Sequence, residues 1–294
     1  APFSPRLLAT VAQGRRVRVG VFGDSYGDGI WSALYRELPA KRNYEVVKLS
    51  QQSTGFTRYG SLNLENHLRE QLASAPVDIA VISFGANDTQ GVMHGGHAAR
   101  LLSPEWQQVI GDRVAGFVRI LREQGAMVYW VGLPRMRKPS YDADITGMNA
   151  FYAAKMRELG VPWIDTLPLS VGPDGEFALY LPDGPSQERK LMRANDGIHM
   201  SMAGYVRITR GLTQRIEAYV AAARRQAGVA APEPRAAATG MAATGVATAP
   251  ARPVRAGAPA RMSGAVPAAG VSGPANISGT AGDAASGATG TAGL

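Results

Sequence analysis

Residues 17–29 read Val-Arg-Val-Gly-Val-Phe-Gly-Asp-Ser-Tyr-Gly-Asp-Gly, and this stretch decides the fold. Val17, Val19 and Val21 alternate as the residues of a buried strand do. The pattern breaks at Gly23-Asp24-Ser25 and resumes as a helix at Gly29-Ile30-Trp31. A strand that turns sharply into a helix carries its turn residues out at the strand's carboxyl end, the edge where open α/β sheets bind ligands. A serine at that turn suits two roles. It can cap the helix, or it can present its hydroxyl beside the unpaired N–H groups of a helix start.

Outward from this stretch the chain alternates. Helical segments are expected near 30–38, 64–73, 104–124, 146–159 and 202–225. Apolar strand-like runs are expected at Tyr44–Leu49, Val77–Phe84, Ala126–Leu133 and Val161–Ile164. Five strands alternating with helices predict an α/β fold: a three-layer, flavodoxin-like, doubly wound parallel five-stranded sheet in the order 2-1-3-4-5. In that order the first strand lies between the second and third, so the loops bearing Ser25, Gly55 and Asn87 converge on one crevice. Residues 1–16 read as a surface arm, and Asp165–Arg193 as a long turn-rich loop.

Composition sets the limits. Residues 229–294 hold no aromatic residue and are almost wholly Ala, Gly, Pro, Thr, Ser and Val. Such a segment cannot bury enough apolar surface to offset its ordering entropy, so a disordered tail is expected after a domain at 17–228. The formal charge is +8; four arginines against two carboxylates assign +2 of it to the tail and +6 to the rest. The basic residues form no run or aromatic-interleaved stripe, which argues against nucleic acid as a partner. No cysteine is present, which excludes thiolate chemistry, and no apolar run reaches the ~18 residues of a membrane span. The sequence begins Ala1-Pro2, as a mature exported protein does after signal-peptide removal, so a periplasmic or secreted location is expected. His94 and His97 could supply half of a metal site, but no further ligand pairs with them, and neither metal nor cofactor is expected.

Acyl transfer by serine needs a nucleophile, a base, a group that orients the base, and donors for the oxyanion. Ser25 is the candidate nucleophile. His199 is the candidate base, since His67 lies mid-helix among charges and His94 and His97 lie in a glycine-rich excursion. Asp196, three residues before His199, can reach the imidazole across one tight turn eased by Gly197. The backbone N–H groups of Ser25 and Gly55 and the Asn87 side-chain amide are the candidate oxyanion donors, with Gly60 a second glycine in the same loop. Asp24 and Asp88 read as structural braces. Arg135, Arg137 and Lys138 suit contacts to an anionic or sugar substrate, or an ordinary solvated loop.

Gly23-Asp24-Ser25, Gly55, Gly85-Ala86-Asn87-Asp88 and Asp196-Gly197-Ile198-His199, in that order, resemble the SGNH or GDSL-type hydrolases over residues 17 to about 225. Residues 129–137 (YWVGLPRMR) and 196–205 (DGIHMSMAGY) resemble a bacterial, exported branch. The resemblance implies a flavodoxin-like sheet and a serine esterase, acylhydrolase or acyltransferase that uses no metal. Tyr26 departs from the pattern, since many members carry an aliphatic residue there, and the departure bears on the acyl pocket. The expected activity is removal of a short acyl group, acetyl above all, from a carbohydrate or small ester, so the partner is an acylated small molecule or polysaccharide. An O-acyltransferase on the same residues and a catalytically silent envelope-binding domain are the alternatives.

Overall fold

The computed structural model describes residues 3–229; the expected tail lies, from residue 230 on, outside the described residues. Five parallel strands form the central sheet: β1 (Val17–Gly23), β2 (Tyr44–Lys48), β3 (Ile79–Ser83), β6 (Met127–Val131) and β7 (Trp163–Ile164). Their order is β2-β1-β3-β6-β7, the doubly wound order expected from the sequence.

The pleat divides the core in two. Val17, Val19, Val21, Ile79 and Val81 face one way, toward α1 (Pro5–Ala12), α2 (Ser25–Glu37) and α6 (Met202–Gln226). Phe22, Ala80, Ile82, Val128 and Trp130 face the other way, toward α3 (Leu64–Ser74), α4 (Pro104–Glu123) and α5 (Pro139–Leu159). Alternate residues of each central strand are thus buried on opposite faces, which is why these strands read as nearly continuous apolar runs.

Three segments differ in kind from expectation, and the helix expected at 146–159 begins earlier, at Pro139. The surface arm is a helix, α1, started by the Ser4 hydroxyl on the Leu7 N–H and by Pro5 in the first turn. Leu7 and Val11, one turn apart, are buried against the sheet, and Thr10 donates to the buried carboxylate of Asp78 at 2.9 Å. The sequence carried this signal, a serine cap followed by proline and an i, i+4 apolar pair. The glycine-rich excursion is a β-hairpin, β4 (Val92–His94) with β5 (His97–Ala99). The turn-rich loop contains a second hairpin, β8 (Tyr180–Asp183) with β9 (Glu188–Leu191). Its strands are charged and interrupted by Pro182, so pattern gave no warning. The hairpin is held instead by α6, where Arg207 reaches the Pro182 carbonyl at 2.6 Å and Arg210 reaches Asp183 at 2.9 Å.

Candidate active site

Ser25 is the first residue of α2, directly beyond the carboxyl end of β1. The residue that caps the helix is Asp24, whose Oδ1 accepts the Tyr26 N–H at 2.9 Å. Ser25 is therefore free of the capping role its residue type also suits. Its own N–H, one of the unpaired donors of a helix start, donates to no acceptor among the described residues.

His199 Nε2 lies 2.7 Å from Ser25 Oγ, and His199 Nδ1 lies 2.7 Å from Asp196 Oδ2. With the Nδ1 proton on the carboxylate side, Nε2 is left to accept the serine proton. The same carboxylate closes its own turn, because Oδ1 accepts the Ile198 N–H at 2.8 Å and the His199 N–H at 2.9 Å. Gly197 stands in this turn at φ +72°, a conformation costly to other residues. Partial burial pushes the Asp196 carboxyl upward, but the hydrogen bonds from the His199 ring and from the Ile198 and His199 amides outweigh it and hold the group below the usual range. Asp196 so stays an anion, as a partner to a developing imidazolium must. The Tyr26 ring stacks on His199 with centroids 5.5 Å apart and planes inclined by 22°.

The loops after β2 and β3 meet each other. Asn87 Nδ2 donates at 3.0 Å to the Thr54 carbonyl, the oxygen of the peptide that bears the Gly55 N–H. Asp88 is fully buried and accepts from the Phe56 N–H at 3.1 Å, the Thr57 N–H at 2.8 Å and the Thr57 hydroxyl at 2.7 Å. Glycine at 55 is required by this carboxylate, since a Cβ there would stand 2.4 Å from Asp88 Oδ1. The sequence suggested approach to a substrate carbonyl; the structure adds a packing reason of its own. Gly60, the other glycine of the loop, borders open space.

Asp24 is fully buried beside this pair. Burial pushes its carboxyl up to about 7, the Tyr26 amide works against that shift, and the Asp88 charge adds to it. The amides of Gly85 and Asn87 also favour its charged form, although Oδ2 has no well-formed hydrogen bond. Asp24 thus holds the serine turn through the Tyr26 amide and Asp88 holds the Phe56–Thr57 loop, so each aspartate braces its own turn.

Other candidates have different employment. His97 pairs with Glu105 at 2.7 Å. Arg135 pairs with Asp142 of α5 at 3.1 Å, and Arg137 donates to the Asn195 carbonyl at 2.9 Å, so Arg137 braces the loop before His199. Tyr26 is fully buried, donates its hydroxyl to the Ile198 carbonyl and is not among the residues lining the cleft beside Ser25. A cleft of about 410 Å³ opens beside Ser25 and His199. One wall is polar, from Asp28, Ser32 and Gln52, and the other is formed by Met200, Met202 and Tyr205. Asp28 accepts from the Ser50 hydroxyl at 2.5 Å and from Gln52 at 2.9 Å, and pairs with Lys48 at 3.0 Å. These contacts overcome burial and keep its carboxyl below the usual range. Sequence reasoning missed this wall: Asp28 lies one helical turn beyond Ser25, a spacing that could have suggested it, but nothing local brings Lys48, Ser50 and Gln52 to it.

A family model described as "Protein of unknown function (DUF459)" matches residues 18–215. No curated protein sequence matches the chain. Among solved structures, the periplasmic domain of a lipopolysaccharide acetyltransferase from Salmonella ser. Paratyphi A superposes with a TM-score of 0.51 at 11% identity, covering 71% of this chain and 86% of that one. A carbohydrate acetylesterase from Sinorhizobium meliloti gives 0.48 at 18% identity, covering 69% of this chain and 100% of that one. A GDSL-like lipase from Bacteroides thetaiotaomicron gives 0.48 at 16% identity, covering 73% of this chain and 97% of that one. The sheet order and layers are shared with the Salmonella domain and are the flavodoxin-like arrangement that the SGNH/GDSL resemblance implied.

Proposed function

The chain belongs to the DUF459 family, and we propose that it is a serine esterase that forms an acyl-enzyme at Ser25. One observation carries the reading: a continuous line from Asp196 through both ring nitrogens of His199 to Ser25 Oγ, with both contacts at 2.7 Å. Oγ attacks the ester carbonyl as Nε2 takes its proton, and the imidazolium is stabilised by Asp196. The Ser25 and Gly55 N–H groups and the Asn87 amide receive the oxyanion. When the tetrahedral intermediate collapses, the C–O bond to the alcohol breaks and Nε2–H protonates the leaving oxygen. Water repeats the sequence on the acyl-enzyme, with His199 as base, and releases the acid.

The substrate reading is a short acyl ester of a hydroxylated molecule, with O-acetylated polysaccharide outside the cytoplasm as the favoured class. It is supported by the polar wall of Asp28, Ser32 and Gln52 along the cleft, suited to hydroxyl groups on the alcohol side. Among the described residues no helix is long and apolar enough to cross a membrane. Acyl transfer to a sugar hydroxyl shares the first half-reaction, and the same polar wall favours it as the second reading. A fluorophosphonate probe tests both. Wild-type protein is expected to be labelled at Ser25 and to turn over p-nitrophenyl acetate. Ser25→Ala and His199→Ala should lose both properties while folded. Unlabelled wild-type protein would return the chain to the class of silent binding domains.

A further inference from the structure

Arg193 is completely buried, next to the catalytic loop, and none of its contacts is an ion pair among the described residues. Its Nε and Nη1 have no hydrogen-bond partner. Nη2 donates to the Ile198 carbonyl at 2.9 Å and lies 3.5 Å from the Gly197 carbonyl, while the guanidinium covers the Phe177 ring at 4.7 Å. As a stabilising element this is a poor arrangement. Each unsatisfied buried donor is destabilising, and an apolar side chain of similar volume is often neutral or stabilising in place of a buried charge.

What the arrangement achieves is local. The Ile198 carbonyl receives two donors, Arg193 Nη2 and the Tyr26 hydroxyl. The peptide that bears this carbonyl also bears the His199 N–H, which donates to Asp196 Oδ1 at 2.9 Å. One peptide plane is therefore held at both ends, with a cation at its oxygen and the triad carboxylate at its hydrogen. A donor on the carbonyl polarises the amide and strengthens the N–H as a donor in turn. The same carboxylate meets His199 Nδ1 through its other oxygen.

Resting on the reading of Ser25, His199 and Asp196 as a catalytic triad, we propose that Arg193 is a positioning residue. Together with Tyr26 it clamps the Ile198–His199 peptide and so fixes both the Asp196 carboxylate and the His199 ring against Ser25. Arg193 touches neither substrate nor the reacting atoms; it acts through the peptide. Phe177 is its platform, and Arg137 lies over the same ring at 5.3 Å, which joins the loop after β6 to the clamp.

The test compares Arg193→Met, Arg193→Lys, Tyr26→Phe and the double variant Arg193→Met/Tyr26→Phe with wild type. The readouts are melting temperature, the rate of fluorophosphonate labelling at Ser25, and kcat and KM for p-nitrophenyl acetate. Arg193→Met is expected to melt no lower than wild type, yet to label roughly ten- to a hundredfold more slowly, the scale of a misplaced catalytic group. The loss should fall on kcat, with KM within about twofold, because substrate is not contacted. Arg193→Lys should recover part of the rate, since an ammonium can donate to the same carbonyl. Tyr26→Phe deletes one oxygen and keeps the stacked ring; its loss should add to that of Arg193→Met less than independently, as for two donors on one acceptor. Labelling of Arg193→Met at the wild-type rate overturns the proposal, as does a folded Arg193→Lys no faster than Arg193→Met. Should Arg193→Met fail to fold, Tyr26→Phe decides alone, and an unchanged labelling rate there is equally fatal. Failure of the triad reading looks different, because wild type itself then leaves the probe unreacted.

Discussion

The Asn87 side-chain amide and the Thr54 carbonyl are joined at 3.0 Å, so the loops after β3 and β2 are tied at the peptide that bears the Gly55 N–H. One N–H of the amide is spent on this tie and the second remains for an oxyanion. Two of the three candidate donors, the Asn87 amide and the Gly55 N–H, therefore move as a unit.

Replacing Asn87 with alanine removes one donor and releases the other. Loss of a single oxyanion donor costs about 2.7–4 kcal/mol of transition-state stabilisation. A fall in kcat of at least ~10²-fold is expected, with KM little changed. Steady-state kinetics on p-nitrophenyl acetate measure it, and a mutation felt mainly in KM would remove Asn87 from the oxyanion hole.

Gly55→Ala places a methyl group 2.4 Å from Asp88 Oδ1. Asp88 cannot retreat without loosening the Phe56 and Thr57 amides it holds. Strain of this kind costs about 1–3 kcal/mol, so a lower melting temperature should accompany slower turnover. Gly60→Ala, beside open space, is the control and should leave both nearly unchanged.

Asp24 gives stability a pH dependence of definite sign. Its folded value of about 7 lies above the ordinary 3.8, so the native protein keeps a proton that the unfolded chain releases between those limits. Stability from this group falls as pH rises through that window, by at most ~1.4 kcal/mol per pH unit, and levels off above it. Asp24→Asn carries no such proton. Urea unfolding at pH 5, 6, 7 and 8 should show wild type losing ground to Asp24→Asn with each step up to 7. A difference that stays flat or grows in favour of wild type would contradict the buried, proton-holding Asp24.

Acyl length follows from the cleft. The apolar lining of the cleft comes from Met200, Met202 and Tyr205, beside the polar Asp28, Ser32 and Gln52. Each methylene that finds an apolar surface contributes about 0.8 kcal/mol, and the polar residues of this cleft offer it none. kcat/KM is expected to fall from p-nitrophenyl acetate toward palmitate; a steady rise would point to a lipid substrate instead.

Much of this was written locally. The alternation of Val17, Val19 and Val21, the break at Gly23-Asp24-Ser25 and the apolar run of β3 specify strands and turns within a few residues of themselves, and strand order follows from how such units pack. Asp196 and His199 meet across one tight turn, so their pairing was legible too. The helix at Pro5–Ala12 was equally local, although its first residues resemble a loose arm until the buried Leu7 and Val11 are seen against the sheet.

Neighbours in the chain account for the strand-to-helix turn at Ser25, the Asp-x-x-His turn, and the apolar faces that order the sheet. Which distant groups share a space depends on how the elements pack. Ser25 and His199 are 174 residues apart and touch at 2.7 Å; Lys48, Ser50 and Gln52 gather on Asp28; Arg193 and Tyr26 meet on one carbonyl. No periodicity marks an arginine between Met192 and Ala194 as buried. Its burial is set by the packing of Phe177, Met136 and Tyr26 around it, and packing of side chains from separate elements has no signature in the order of residues along any one of them.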